Sequence, residues 1–288
     1  MNDQTQSSNA ASPAVDRPVT LIRASSGWGF PDARELIDHR ELLLFLVKRN
    51  IKVRYRQTLL GWGWAVLQPV ATMAILTFVF GRLIGLQSDG VPYWIFALTG
   101  LVLWTFISQS VSAAAASLVG NSQLVDKVYL PRLAIPLAAI LSGLFDLLIT
   151  FVMLVAVLTI AGYPPRPVAL VALAAIPLAL LLSVGVGTAL AALGVRYRDT
   201  AYVLPFALQL WLFATPIAYP LSLVPHKWQP LMALNPAACI VGLFRWAMLG
   251  TDADAWAYLP LSLTSLLILL VGGLMIFRRM ERSFADVI

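Results

Sequence analysis

The sequence predicts an all-α polytopic membrane protein with six transmembrane helices. Three observations carry that reading. Of 288 residues, 59% are hydrophobic and only 12% are charged, with mean hydropathy +0.81, whereas a soluble domain carries about 25% charged residues. Long runs with almost no charge recur along the chain, on the scale of the ~20 residues a helix needs to cross a bilayer. The cations then gather on one side of the resulting topology, as the positive-inside rule requires.

The chain turns on the stretch 48–69, KRNIKVRYRQTLLGWGWAVLQP. Five cations, Lys48, Arg49, Lys52, Arg54 and Arg56, fall within nine residues, and apolar sequence follows. Such a seam marks where a chain crosses a charged membrane surface and enters lipid. Upstream, residues 1–38 read as a polar cytoplasmic tail, rich in Ser, Asn, Asp and Pro and largely disordered. The tail lacks the apolar core of a secretory signal peptide, so the first span is expected to act as its own insertion signal. Residues 39–57 read as a helix, because Leu44, Val47, Ile51 and Tyr55 recur at helical spacing beside a stripe of Lys48, Lys52 and Arg56. Leu42, Phe45 and Val53 blur the amphipathic pattern. A basic helix directly before a span is expected to lie in the membrane interface.

The membrane domain is predicted over 58–277. The run 57–81 supplies the first span, softened at Gly61 and Gly63 and kinked at Pro69. A second helix is expected over 93–116, with its polar end, Gln109, Ser110, Ser112 and Ser117, continuing out of the lipid. A loop at 121–132 precedes spans at 133–161 and 168–193. A charged turn at 196–199 leads to a fifth span at 202–219, and the last span is 258–277. The tail 278–288 carries Arg278, Arg279 and Arg282. Between the last two spans, 228–244 is uncharged but short, and Pro230 and Pro236 interrupt it. A full crossing there would carry the three C-terminal arginines to the outer side. The region 226–250 is therefore expected to be re-entrant on the outer face, tolerated only where protein shields it, with both termini cytoplasmic.

Several function classes fall away. The net charge of +6 is what the positive-inside rule leaves behind, so no nucleic-acid partner is implied. The one cysteine, Cys239, allows no intramolecular disulfide, and no Cys/His metal spacing exists. The phosphate-binding pattern G-x-x-x-x-G-K-[ST] is missing. If ATP drives the protein, a separate chain binds ATP and Mg²⁺, and this chain carries no cofactor. A membrane glycosyltransferase or acyltransferase would need converging acids or a His–Asp pair. Here Asp89, Asp146, Asp199 and Asp252 fall in different loops or spans, and His39 and His226 on opposite sides. Asp146 is the one acid deep in a span, and its simplest role is packing, bonded to Ser or Asn on a neighbouring helix.

Three groups keep two readings each. In 121–132, Leu124, Val128 and Leu130 suit a partner's cleft, with Asp126, Lys127 and Arg132 setting orientation; the alternative is an ordinary polar turn. Trp62, Trp64, Trp94 and Trp228 sit at span ends, as headgroup-level belts do. Trp104, Phe106, Trp211 and Phe213 lie mid-span, either lining a conduit where sugar rings stack or packing against helices and lipid. The basic cluster attracts anionic lipid, at about 1 kcal/mol per cation. It is equally suited to a lipid diphosphate, for which Arg offers bidentate geometry.

Four segments in order, IKVRYRQTLLGWGWAVLQP, NSQLVDKVYLPRLAIPL, VRYRDT before a Pro-rich aromatic helix, and LNPAACIVGLFRWAMLG, together resemble the ABC-2 type permeases of polysaccharide export. O-antigen exporters are nearest, with teichoic-acid and capsule permeases as relatives, and the resemblance runs from about residue 35 to the C-terminus. It implies a homodimer in the bacterial inner membrane, working with two copies of a nucleotide-binding ATPase subunit. It also implies an interface helix at 39–57, a coupling helix at 121–132 and re-entrant helices at 226–250. The implied substrate is a glycan on an undecaprenyl-diphosphate carrier. The matching positions are Arg54, Tyr55, Arg56 and Gly61 for the gate that admits the diphosphate. Phe78, Trp104, Phe106, Trp211 and Phe213 match the channel lining, and Leu124, Asp126, Lys127, Val128 and Arg132 the ATPase coupling. An ABC-2 exporter of a small lipid or drug is the alternative within transport.

Overall fold

The computed structural model describes residues 33–127, 130–164, 167–251, 256–282 and 284. The tail 1–32, Val128 and Asp252 lie outside them. All regular structure among the described residues is helical. A short α1 (Ala33–Asp38) leads into α2 (Arg40–Tyr55), and then α3 (Gly63–Leu76) runs on through a widened π-helical turn, Thr77–Leu83. α4 (Tyr93–Ser117), α5 (Ser122–Lys127), α6 (Ala134–Ile160) and α7 (Ala172–Arg196) follow, then α8 (Thr200–Ala214), α9 (Gln229–Ala233), α10 (Pro236–Leu249) and α11 (Leu259–Glu281).

Among the described residues, five helices are long and apolar enough to cross a membrane: α3 with its π-turn, α4, α6, α7 with the turn before it, and α11. α8 falls short of the fifth span expected over 202–219. Its 15 residues make ~22 Å of helix, against a hydrocarbon core of about 30 Å. Pro216 is the cause: the residue before a proline is driven out of helical geometry, and Thr215 is extended, with ψ 133°.

α4 is the hub. Ile95, Phe96, Leu98, Val102, Leu103 and Ile107 are buried on several sides, and α4 packs on α3, α6, α7, α8 and α10. Ser110 and Ser117, expected to emerge from the lipid, are buried, and Ser117 donates to the Ala114 carbonyl at 2.7 Å. α7 and α11 approach at Gly185 and Gly273, where a Cβ on either would collide with the other's backbone. Small residues permit such contact between membrane helices.

α2 packs along α6. Leu42 near its start joins the cluster around Leu133 and Ile135, and Tyr55 at its end meets Asp146. Leu46 is buried on the protein side of α2, while Leu44, one of the apolar positions at helical spacing, is exposed. Arg56 leaves the helix in an extended conformation, so the basic stripe stops at Lys52.

The region 226–250 is a broken helix pair. Asn235 caps α10 by accepting from the Ala237 N–H at 3.2 Å, Pro236 takes the first helical position, and Gly250 closes the end at φ +82°. α10 is buried against α4 and α7. Its Arg245 donates to the carbonyls of Phe96, Pro216 and Ile217 at 3.2, 2.6 and 2.7 Å, with the guanidinium 3.6 Å from the Phe96 ring centre.

Candidate functional site

A cavity of about 950 Å³ lies between α3, α4 and α8. Each helix contributes one stripe in steps of three or four residues, the spacing that keeps side chains on one face. From α3 come Trp64, Ala65, Gln68, Thr72 and Ile75; from α4, Leu101, Trp104, Thr105, Ser108, Gln109 and Ser112. α8 adds Pro205, Leu208, Gln209, Leu212 and Phe213. Gln109 donates to Gln68 across the space at 2.8 Å.

Arg54, Tyr55, Gly61 and Asp146 complete the lining at the end where α3 begins. Asp146 is not held by Ser or Asn. Arg54 Nη1 donates to its Oδ2 and Tyr55 Oη to its Oδ1, so both carboxylate oxygens are taken by α2. The sequence gives no hint of this pairing because the partners stand 92 and 91 positions apart. The Asp146 side chain is 10% exposed and that of Arg54 32%, so the cation keeps an open side. The Tyr55 ring meets Phe145 edge-on at 5.9 Å. Burial, then the hydrogen bond and charge of Asp146, raise the pKa of the Tyr55 hydroxyl, which therefore remains a donor at physiological pH. Arg56 is exposed and takes no part in the lining. Gly61 sits at φ +54°, a left-handed turn suited to glycine, where the chain passes from α2 to α3.

The aromatic candidates divide. Trp104 and Phe213 reach the cavity. Trp211 stands behind Trp104, edge-on at 5.6 Å, and donates to Asn235 at 2.9 Å. Phe106 is buried facing Gly143 on α6. Phe78 is exposed on the π-turn, outside the cavity. Three glutamines shape the lining, Gln68, Gln109 and Gln209; of these only Gln109 stands out in the sequence, as part of the polar end of the second helix. The signal was present, since each is an amide inside an otherwise apolar helix, where polar groups are costly.

The segment 121–132 holds the short helix α5. Leu124 is half-buried and Leu130 buried, both packing with Leu118, Leu133 and Phe277. Leu130 therefore serves this chain's own core rather than a partner's cleft. Arg132 donates to the Glu281 carbonyl, and the side chains of Asp126 and Lys127 lie outside the described residues, with Val128. Arg49 donates to Asn121 at 2.5 Å, and Asn121 in turn donates to the Ser117 carbonyl at 2.7 Å.

Among the described residues, no three His, Cys, Asp or Glu side chains come together as a metal site. The cavity offers amides, hydroxyls, aromatic faces and one bridged cation. That set can bind and guide a solute, whereas acid–base or nucleophilic chemistry needs convergent partners.

Residues 41–249 match the family of ABC-2 type transporters. The chain is 27% identical over 253 residues to the O-antigen export system permease protein RfbA of Klebsiella pneumoniae, covering 86% of this chain and 95% of that one. It is 29% identical to the RfbA permease of Myxococcus xanthus (88% and 97% covered) and 26% identical to the polysialic acid transport protein KpsM of Escherichia coli (83% and 93%). The long apolar helices and the family match agree: the chain is a multi-pass permease subunit, not itself an ATPase, and belongs to the ABC-2 type transporter family.

Proposed function

We propose that this chain is the permease of an ATP-driven exporter that moves an undecaprenyl-diphosphate-linked polysaccharide, O-antigen in the first instance, across the bacterial inner membrane. ABC transporter permeases work with an ATP-binding subunit. In this reading two copies of that subunit, holding ATP and Mg²⁺, dock on a homodimer of this chain through the region of α5. α8, though short, serves with the extended residues after it as the fifth of six spans, α9 and α10 form a re-entrant pair on the outer face, α2 lies at the inner leaflet, and both termini are cytoplasmic. A second copy closes the cavity against the exposed faces of α3 and α8, which carry Ile75, Tyr202, Phe206 and Leu210.

The observation that carries this reading is the position of Arg54, half-open to solvent at one end of a polar-lined cavity inside an apolar bundle. A diphosphate can pair with the guanidinium while the glycan follows along the amides and the Trp64 and Phe213 faces. The similarity to KpsM supports capsule-type glycan as a second reading. Replacing Arg54 with Gln tests the proposal: glycan export should fall while the permease–ATPase complex still assembles, and Arg54→Lys should keep part of the activity. Full export by Arg54→Gln would remove the diphosphate role.

A further inference from the structure

The cavity's charge inventory narrows the substrate class. Among the described residues, its ionisable lining is Arg54, Asp146 and Tyr55. Arg54 and Asp146 are paired, so their charges sum to zero, and the Tyr55 hydroxyl donates to the same carboxylate. The remaining polar lining is neutral: the amides of Gln68, Gln109 and Gln209 and the hydroxyls of Thr72, Thr105, Ser108 and Ser112. We infer that the exported glycan is uncharged along its repeat, and that Gln68, Gln109 and Gln209 set this selectivity. The inference rests on the export reading above and deepens it.

The physical ground is desolvation. A carboxylate drawn from water into the space between apolar helices loses hydration that only a cation there would offset. Conduits for anions supply that compensation with rings of Arg or Lys. None of the three stripes carries one; Arg198 lines a neighbouring hollow that meets the cavity at Ser112 and Pro205. Amides both donate and accept, so three of them match hydroxyl and N-acetyl groups in either orientation. The Gln68–Gln109 bond can open and re-form as successive sugars pass. Among the described residues, Arg54 is then the cation of the lining that meets the anionic group every substrate molecule brings, the carrier diphosphate, with Asp146 holding it until that group arrives. A second copy would bring the same neutral stripes.

The permease–ATPase complex in proteoliposomes tests this. It is supplied with undecaprenyl-diphosphate carrying either a neutral repeat of hexose and N-acetylhexosamine, or the same repeat with one hexose replaced by a hexuronic acid. The neutral glycan should be translocated at least roughly tenfold faster. Gln109→Lys combined with Gln209→Lys should raise transport of the acidic glycan relative to the neutral one. Equal rates for both glycans would overturn the inference and leave the exporter reading standing. Transport of neither would overturn the exporter reading itself. Lysine variants that assemble with the ATPase yet leave the ratio unchanged would remove the glutamines as selectivity residues; Gln68→Lys provides a second variant if the pair fails to assemble.

Discussion

Arg49 on α2 donates to the side chain of Asn121 at 2.5 Å, across 72 positions of sequence. The bond joins the helix that ends in Arg54 and Tyr55 to the turn that opens into α5. A displacement of α5 therefore has a direct route to the lining of the cavity.

Cutting that route should uncouple the two ends. Arg49→Ala or Asn121→Ala removes a charge-assisted hydrogen bond worth about 1.5–3 kcal/mol. The expected outcome is a several-fold loss of substrate-stimulated ATP hydrolysis, with complex assembly and basal hydrolysis retained. Normal stimulation in both variants would reduce the bond to a local tether.

The Arg54–Asp146 pair should behave as one unit. Asp146→Asn leaves Arg54 without its carboxylate, and Arg54→Gln leaves a nearly buried Asp146 without its cation. Each single change should destabilise the detergent-solubilised protein by roughly 2–3 kcal/mol, and the double variant should cost much less than their sum. Additive losses in thermal unfolding would show that the two side chains act independently.

Arg245 should be irreplaceable by lysine. Its planar fork serves three carbonyls at once and stacks on Phe96, which a point ammonium cannot reproduce. Arg245→Met should cost about 3 kcal/mol or more through buried carbonyls left unpaired, and Arg245→Lys nearly as much. Gly100→Ala should share the phenotype, because its Cβ would strike the guanidinium. The measurement is the yield and melting temperature of the solubilised protein.

Two adjacent glycines on α11 should respond oppositely. A Cβ at Gly273 would meet the Gly185 backbone, whereas nothing lies within 4 Å of one at Gly272. Gly273→Ala should therefore destabilise by roughly 1–3 kcal/mol or prevent folding. Gly272→Ala should be neutral or gain about 0.5–1 kcal/mol from helix propensity. Equal responses would contradict the close approach of α7 and α11.

Much of the fold was legible because apolar runs and prolines act locally. The long helices fall where the uncharged runs do, and Asn235-Pro236 breaks the region 226–250 as its residues demand. α8 ends early for an equally local reason, Pro216, whose effect on Thr215 the run of apolar residues concealed. The site was legible only in part. The cations of α2 announce themselves, but the choice of Arg54 over Arg56 depends on where α2 ends and which of them reaches Asp146. Phe106 and Trp211 have the right composition for a channel, yet helix rotation turns one toward Gly143 and the other toward Asn235. Rotation of a helix that is apolar all round leaves little trace in its pattern; the three glutamines were the trace, one on each wall.

The central claim is that the glycan passes along the cavity walled by α3, α4 and α8. A photo-crosslinking amino acid placed at Gln109, inside the cavity, or at Phe78, outside it, reads this out directly in the permease–ATPase complex during ATP turnover. The account predicts a glycan adduct from position 109 and none from position 78. An adduct from position 78 with none from position 109 would contradict it.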